Sequence, residues 1–572
     1  MRGNANCPSE QPAYYDPGQG QDIALPSGYK AQVFARDLNF PTSVAFVGNS
    51  QHFRVVVQES GDGLPGQCNR SDGPGYGGRS SPTNPFTPDL LVFDNHGNLT
   101  SGPLGKPSQG ANAYQPDGPA IGLTFEHGLQ GGTLFATDSN QQTDGGCCAA
   151  SNNSSRIVTV DLATGAVKSF ISPLPTGDHP TEQVLVKDGY LYWVQGSATN
   201  TGVVGHDNGG GTHQNDVPCQ NITLSNNVFD SGDGHMTSGY SPHGVARPGA
   251  VVPAFSGATL HGVCNGAILR AKIGAGNPAS TIQPFSWGYR NPYAIRFAPN
   301  DHALKGNLMV AEDGGDERGA RPVANAPDRL QVAQMNPDGT PDYHGWPDFF
   351  GFLPSTQRLY NPQGGPADDL CSPPAMPVFN LAACQAALAA HATPVKPVLA
   401  FPPQQPKAPM DLEPADSSMT GIDFAPNSFV GGVVGPGAAL ISREGDFGFS
   451  PGNGDPEAGH DVQLVNFSPP GEPLQTTLQR FAFNCAPSDQ THPNGAAGCT
   501  NPADQAFTDI LHAFNRPTFA MFGPDGALYV VDYGAVRDLG QSDPKARVTN
   551  PADGSLVQFP YTGTIWKITR TG

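Results

Sequence analysis

Residues 516–532 read RPTFAMFGPDGALYVVD and carry the clearest copy of a pattern that recurs along the chain. In both halves of this stretch, apolar side chains recur with the alternating period of a β-strand. The Gly-Pro-Asp-Gly sequence at residues 523–526 is typical of a tight turn. The stretch therefore predicts a β-hairpin of two short strands.

The same unit recurs five more times, with copies that begin near residues 41, 120, 183, 292 and 419. Candidates for outer strands follow at residues 90–93, 156–160, 267–271, 329–333 and 462–466. A β-sandwich has a similar pattern over about one hundred residues, but six copies favour a radial array of small sheets, which leaves no long edge exposed. We predict an all-β fold, a six-bladed β-propeller with long loop insertions.

The chain ends are expected to close the ring, with residues 29–34 and 563–568 as strands of one blade. Residues 1–572 are interpreted as one propeller domain. Loops near 60–88, 200–262, 353–418 and 485–508, with a helix-like stretch at 381–390, are interpreted as decorations. Loops of this length tend to be lids or binding loops, so we expect several at the substrate entrance.

Composition indicates a folded, turn-rich protein, with 72 Gly and 58 Pro but also 30 Phe and 15 Tyr. The formal net charge is −20 with only 30 Lys and Arg, which argues against nucleic acid or an anionic membrane surface as partner. No run approaches the roughly 20 apolar residues that span a bilayer.

Cysteine usage favours an oxidising compartment and hence a secreted, extracellular protein. The ten Cys lie among small and polar residues without zinc-type spacing, and some are spaced like loop-closing pairs: Cys371 with Cys384, Cys485 with Cys499, and Cys219 with Cys264. The start MRGNANCPSE has no apolar signal core, so it is either a processed terminus with an added Met or an intracellular one. Glycosylation acceptor sequences occur at Asn69, Asn98, Asn152, Asn153, Asn221 and Asn466.

The most specific motifs follow one another in the second half of the chain: FSWGYRNP at 285–292, EDGGDE at 312–317, DRL at 328–330 and YHGWP at 343–347. This order resembles the glucose/sorbosone dehydrogenase family, the soluble enzymes that use pyrroloquinoline quinone (PQQ). The wording GWPDFFG at 345–351 and the Cys content are most similar to fungal-type extracellular pyranose dehydrogenases. The resemblance covers the strands from about residue 22 to the C-terminus and leaves out the long insertions.

The resemblance implies PQQ and Ca²⁺ as cofactors and a sugar as substrate. PQQ carries three carboxylates, which guanidinium groups bind well. The motifs place Arg290 and Asn291 on the quinone oxygens, Arg443 where the family has Lys or Arg, and Arg516 on the first member of a basic-x-basic pair. The second member is Thr518 here, a departure from the pattern. The alternative for each Arg is a salt-bridged structural residue.

The resemblance also implies that His179, in Thr-Gly-Asp-His-Pro at 176–180, is the catalytic base, with Arg290 stabilising charge on the quinone. Imidazole has an ordinary pKa of ~6.5 and accepts a hydroxyl proton near neutral pH. A loop His is more often simply exposed.

The matching Ca²⁺ ligands are the backbone carbonyls of Gly314 and Gly315. Oxygen ligands suit Ca²⁺, and Asp313, Asp316 and Glu317 are further candidates. The alternative for this acidic loop is a solvated turn.

Two other functions stay open at this point. One is a propeller lactonase or hydrolase with a metal bound by Asp, Asn and Glu side chains on the axis. The other is a non-catalytic, carbohydrate-binding propeller that has lost the quinone, for which Thr518 is the best argument. The dehydrogenase hypothesis requires an external electron acceptor, for which a cytochrome is one candidate.

Overall fold

The computed structural model describes residues 1–572 except 11, 14, 62, 65–66, 79–80, 82, 105–117, 141–153, 206–213, 232–233, 257–262, 317–318, 363–393, 446–457, 469–471, 485–512, 539–555 and 572.

Six antiparallel sheets of four strands form the body of the protein, and we number them as blades by the position of their first strand. Blade 1 consists of Pro41–Gly48, Phe53–Glu59, Asp89–Asp94 and Leu99–Leu104. Blade 2 consists of Leu123–Phe125, Leu134–Asn140, Ser154–Val160 and Val167–Leu174. Blade 3 consists of Thr181–Lys187, Tyr190–Gln195, Ala267–Lys272 and Gln283–Trp287. Blade 4 consists of Asn291–Phe297, Leu308–Asp313, Asp328–Ala333 and Asp411–Glu413. Blade 5 consists of Met419–Phe424, Ala439–Arg443, Asp461–Phe467 and Thr476–Asn484. Blade 6 consists of Pro517–Phe522, Leu528–Asp532, Gly563–Arg570 and Tyr29–Leu38.

Short elements decorate the blades. Ile23–Ala24 extends the outer edge of blade 5, and Asp342–Tyr343 pairs in parallel with Gln283–Trp287 of blade 3. The two-stranded ribbons are Ile222–Thr223 with Val251–Val252, Phe229–Asp230 with Met236–Thr237, Phe349–Phe350 with Leu353–Pro354, and Val536–Asp538 with Leu556–Gln558. The 3₁₀ turns are Gln67–Asn69, Pro74–Tyr76, Gly128–Gln130, Pro278–Thr281 and Arg358–Tyr360.

The blades form a closed ring. The first strand of each blade contacts the first strands of the two neighbouring blades, and the sixth contacts the first. Blade 6 takes its outer two strands from opposite ends of the chain, with Tyr29 opposite Arg570. The six-bladed β-propeller and its closure by both termini are therefore confirmed.

The period of two along each strand builds the core. In blade 1, Val55 and Val57 pack toward blade 6 while Val56 packs toward blade 2. In blade 3, Trp193 faces blade 2 and Tyr192 faces blade 4. Because successive side chains point to opposite faces of a sheet, each blade contributes to two of the six apolar clusters that join neighbours.

All six first strands begin at the same end of the ring, which we call the site rim, because each blade repeats the same up-and-down path. The last residue of a second strand lies opposite the first residue of the first strand in most blades. At the site rim these last residues are Glu59, Gln195, Asp313, Arg443 and Asp532. Polar and charged side chains are therefore concentrated at this end.

The described part of the chain contains two disulfides, each joining segments that are distant in sequence. Cys219 bonds Cys264, as the sequence predicts, and Cys7 bonds Cys68, a pair that the spacing did not indicate. The pairs Cys371–Cys384 and Cys485–Cys499 and the helix-like stretch at 381–390 lie outside the described residues. None of the helices in the described part of the chain has the length and apolar content to cross a bilayer.

The structure contradicts the prediction of a glycosylation site at Asn69. Asn69 is fully buried, its Nδ2 donates to the Leu64 carbonyl, and its Oδ1 accepts from the Gln558 N–H. A glycan has no access to it in the folded protein.

Candidate functional site

The two motif segments 285–292 and 343–347 lie side by side. Trp287 is opposite Tyr343 in the parallel pair, with ring centroids 4.9 Å apart. The Trp346 N–H donates to the Gly288 carbonyl at 2.8 Å. The two motifs are thus one packed unit that delivers Arg290 to the site rim.

Arg290 lies at the site rim, between the last strand of blade 3 and the first strand of blade 4. Its side chain is 6% exposed, Nη1 donates to the Gly314 carbonyl at 2.6 Å, and Nη2 donates to Asp316. Nη2 also lies 3.4 Å from Asp178 Oδ2. The buried Nε has no hydrogen-bond partner within the described residues, so one N–H remains for an acceptor from outside the chain.

Asn291 starts the first strand of blade 4 opposite Asp313. Its Nδ2 donates to Asp313 Oδ2 at 3.0 Å. Asn291 Oδ1 and Asp313 Oδ1 are both buried and have no partner among the described residues. Burial, reinforced by Asp328, raises the pKa of Asp313 well above its usual range.

His179 lies two residues before the first strand of blade 3. Its Nδ1 lies 3.4 Å from Asp178 Oδ2, and its side chain is 16% exposed. Gly196 is required here because a Cβ at that position would lie 2.3 Å from the His179 Cβ. The structure therefore brings His179 and Arg290 together on opposite sides of one buried carboxylate.

The acidic loop after blade 4's second strand is held at Gly314 through Asp328. The Gly314 N–H donates to Asp328 Oδ1 at 2.7 Å, and Asp328 Oδ2 accepts from the Ser417 hydroxyl and the Ser418 N–H. A Cβ at Gly314 would lie 2.6 Å from the Ala326 carbonyl oxygen, so this close approach requires glycine. Burial raises the pKa of Asp328 to about 6. Glu317 lies outside the described residues.

Arg443 is at the site rim, but its charge is already compensated. Nε and Nη2 donate to the two oxygens of Asp461 at 2.8 and 2.7 Å, and Nη1 donates to Glu413 at 2.8 Å. Glu413 belongs to blade 4 and Asp461 to blade 5, so Arg443 joins these blades. Its role in cofactor binding stays a prediction that this geometry does not favour.

Arg516 is fully buried before the first strand of blade 6. Its N–H donates to Asp532 Oδ1 at 2.9 Å, and Nη1 donates to the Gly445 carbonyl at 3.2 Å. Thr518, the departure from the basic-x-basic pattern, donates its hydroxyl to the Pro41 carbonyl of blade 1 at 3.0 Å. Thr518 therefore serves the contact between blades 6 and 1.

Sequence reasoning missed two buried carboxyl groups, Glu182 and Glu444, whose pKa values are influenced by the charges of Arg290 and Arg516 respectively. Glu182 of blade 3 is 1% exposed, its Oε2 is a buried oxygen without a partner in the described chain, and burial raises its pKa well above its usual range. Glu444 of blade 5 is also buried, and burial raises its pKa to about 7. Both lie close enough to Tyr293 for their charges to raise its pKa. Within the described ranges, no three His, Cys, Asp or Glu side chains form a group that can hold a metal ion.

The sequence carried weak signals for some of the missed residues. Asp178 and Glu444 directly adjoin His179 and Arg443, and Glu182 is a charged residue at the start of an apolar strand. Asp216 carried no signal, because it lies in the 200–262 insertion and reaches the site rim only through the tertiary fold.

Glu444 makes stability depend on pH. Its folded pKa of about 7 lies above the ordinary value of 4.5, so between these values the folded state binds one proton more than the unfolded chain. The stability that this extra proton contributes is complete below about pH 4.5 and is lost as pH rises through about 7. Between pH 5 and pH 8 we expect the wild-type free energy of unfolding to fall by about 2 to 3 kcal/mol because of Glu444, and we expect this fall to be absent in Glu444→Gln.

Urea unfolding of wild type and variant at both pH values measures this difference. Exposed Glu472→Gln is the control and keeps the wild-type pH dependence. Parallel pH curves for wild type and Glu444→Gln contradict the raised pKa.

Comparison with known proteins gives similarities in overall structure. No protein-family model and no curated protein matches the chain. A carbohydrate-active enzyme of family AA12 from Trichoderma reesei is similar at 13% identity and a TM-score of 0.46, over 97% of this chain and 100% of that one. The PQQ domain of a pyranose dehydrogenase from Coprinopsis cinerea is similar at 13% identity and a TM-score of 0.47, over 97% of this chain and 98% of that one. A protein described as a putative gluconolactonase is similar at 11% identity and a TM-score of 0.33, over 96% of this chain and 94% of that one. At these values the similarity assigns no activity.

Proposed function

We propose that the chain is a PQQ- and Ca²⁺-dependent sugar dehydrogenase with His179 as the general base. The observation that carries the proposal is the buried arrangement of His179, Asp178 and Arg290 at the site rim, within the motifs that resemble the quinoprotein family. A base and a fixed cation that share one carboxylate suit a reaction in which a proton leaves a hydroxyl while negative charge develops nearby.

The unsatisfied polar atoms of the site fit these cofactors. Within the described residues, Arg290 Nε is a buried donor without an acceptor, and a quinone oxygen is an acceptor. Asn291 Oδ1 and Asp313 Oδ1 are likewise buried oxygens without a donor in that part of the chain, and Ca²⁺ accepts oxygen ligands. Leaving such atoms buried and unpaired costs about 1–3 kcal/mol each, so ligands that satisfy them bind favourably. Arg516 is the further cation for a cofactor carboxylate, and the carbonyls of Gly314 and Gly315 remain candidate Ca²⁺ ligands.

The chain's own residues act on the sugar proton. His179 takes the proton of the sugar hydroxyl on Nε2, and the resulting imidazolium is stabilised by Asp178, whose Oδ2 lies 3.4 Å from Nδ1. Arg290 holds Asp178 and Asp316 in place, and its Nε–H would be the donor to an oxygen of a bound cofactor. When bound, PQQ with Ca²⁺ supplies the two-electron acceptor for the hydride that leaves the sugar carbon.

Reconstitution tests the proposal. Purified protein is mixed with PQQ and Ca²⁺, the absorbance of bound PQQ is recorded, and reduction of an electron-accepting dye is followed with a panel of aldoses. We expect a spectral shift and dye reduction that require both cofactors. Absence of both the shift and dye reduction contradicts the proposal and favours a binding propeller.

A lactonase or hydrolase is the second candidate, because Glu182 Oε2, Asn291 Oδ1 and Asp313 Oδ1 are three buried oxygens without partners in the described residues. A divalent metal satisfies such oxygens directly. Lactone hydrolysis that depends on a divalent metal and proceeds without PQQ decides for this candidate.

The proposal extends to location and partners. Disulfides Cys7–Cys68 and Cys219–Cys264 are consistent with secretion. We propose a secreted enzyme, with a sugar as substrate and an external acceptor, for which a cytochrome is one candidate.

A further inference from the structure

A short segment behind the proposed base holds both the base and the cation. Ser197 accepts the His179 N–H at its carbonyl (2.9 Å) and donates its own N–H to the Arg290 carbonyl (2.9 Å). The Ala198 carbonyl accepts the Asp178 N–H at 3.0 Å. The backbone of residues 197–199, which we call the backing segment, therefore sets the positions of His179, Asp178 and Arg290 relative to each other.

One side chain fixes the backing segment from outside the blades. Asp216 is 1% exposed, its Oδ1 accepts the Ala198 N–H at 2.8 Å, and its Oδ2 accepts the Thr199 hydroxyl. Thr199 Oγ1 in turn accepts the Gly202 N–H at 2.7 Å. A carboxylate that accepts two hydrogen bonds in a buried place restrains both partners more strongly than neutral groups do.

Asp216 is itself rigidly anchored. It lies in the insertion between the second and third strands of blade 3, three residues before the disulfide Cys219–Cys264. The neighbouring Val217 N–H donates to Asn265 Oδ1 at 2.8 Å, and the Asn265 N–H donates to the Val217 carbonyl at 3.2 Å. The insertion thus reaches back to the site rim with a fixed carboxylate.

We infer that Asp216 is a positioning residue for the proposed catalytic base: it holds Ala198 and Thr199, and through them the distance between the Asp178 carboxylate and the His179 imidazole. The inference rests on the proposed function. It assigns the 200–262 insertion a part in the chemistry, in place of a lid at the entrance.

Charge and geometry are separable at this site. The charge of Asp178 is close enough to raise the pKa of Asp216, which burial has already raised to about 7. Asp216→Asn changes both the charge and the hydrogen bonds. Thr199→Val keeps a nearly constant shape and leaves the carboxylate, but it removes the hydrogen bond to Asp216 and the one from the Gly202 N–H. Thr199→Ser keeps the hydroxyl.

The test compares these three variants with wild type. We expect Asp216→Asn and Thr199→Val to lower kcat about 10- to 100-fold, because displacements of about 1 Å cost this much. The KM for sugar and the Kd for PQQ stay within about twofold, since neither residue lies among the groups proposed to bind them. Thr199→Ser retains most of the wild-type kcat.

A second readout does not need the cofactors. The imidazole resonance of His179 is followed against pH by NMR in cofactor-free protein and assigned with His179→Ala. Loosening the contact with Asp178 removes a stabiliser of the imidazolium, so we expect the midpoint to move to lower pH in Thr199→Val and to stay in place in Thr199→Ser. This readout decides the inference even if the wild type oxidises no sugar, a result that rejects the proposed function alone.

Asp423→Asn is the matched control. Asp423 accepts the Phe522 N–H at 2.8 Å and pairs with Arg296, but at the opposite end of the ring. It is expected to lower stability without changing kcat or the His179 resonance. A wild-type kcat and resonance in folded Thr199→Val and Asp216→Asn overturn the inference; if Asp216→Asn does not fold, Thr199→Val alone decides it.

Discussion

Replacement of His179 by Ala is expected to lower kcat for sugar oxidation about 10³-fold, since a positioned general base contributes about 10²- to 10⁴-fold. The side chain is 16% exposed and lies at the edge of the site, so the fold should tolerate its loss. The Kd for PQQ, measured by fluorescence titration, is expected to stay within about twofold, because no part of the proposed cofactor contact is removed.

His96 provides the control for this variant. It is an exposed loop histidine in the turn between the third and fourth strands of blade 1, and His96→Ala is expected to leave kcat unchanged. Added imidazole should partly restore turnover to His179→Ala because it supplies the missing base. Undiminished sugar oxidation in His179→Ala removes this residue as the base.

Arg290→Gln is expected to lower PQQ affinity at least about tenfold and the free energy of unfolding by about 3 kcal/mol or more. The first effect follows from the loss of a charge-assisted hydrogen bond from Nε to the cofactor. The second follows because Asp178 and Asp316 lose their buried cationic partner. Calorimetric titration with PQQ and urea unfolding measure the two effects separately.

Arg443→Gln is the matched variant for this experiment. Arg443 is also buried at the site rim and also binds two carboxylates, Asp461 and Glu413. We expect a similar loss of stability with PQQ affinity unchanged, because each of its nitrogens already has a carboxylate partner. An equal loss of PQQ affinity in both variants would sink the distinction between Arg290 and Arg443 and restore the cofactor role that the motifs imply for Arg443.

The buried carboxyl groups Glu182, Asp313 and Glu444 affect how an anionic cofactor can bind. Glu182, Asp313 and Glu444 all have raised pKa values because of burial, so a smaller negative charge faces an anionic cofactor than their number indicates. Neutral carboxylic acids also donate hydrogen bonds, which ionised ones do not. A binding site for a tricarboxylate is thus compatible with few arginines when neighbouring acids are protonated.

The fold was readable from local patterns. Alternation in Val55–Val57 and in Tyr192–Trp193 sets which side chains face each neighbouring blade, and the recurrent turns set strand length. Ring closure was predicted because residues 29–34 and 563–568, at the two ends of the chain, both have the pattern of strands. Local periodicity sufficed because every blade meets its neighbours through the same kind of apolar face.

The site was readable only in part. The motif around Arg290 and the loop with His179 identified residues that do lie together, yet the motifs implied a cofactor role for Arg443 as well as for Arg290. Their difference depends on partners far along the chain, Glu413 and Asp461 for Arg443, and Asp178 and Gly314 for Arg290. No local pattern specifies which carboxylates a guanidinium meets after the ring closes.

The six-bladed ring and its closure by the two chain ends could be predicted from sequence, because strand period and turn chemistry act over a few residues. Three properties came from the tertiary structure: Arg290 Nε has no partner among the described residues, burial raises the pKa of Glu444, and Asp216 of an insertion binds the segment behind His179. Those properties depend on burial and on contacts between distant segments, and these exist only once the blades and the insertion have packed together.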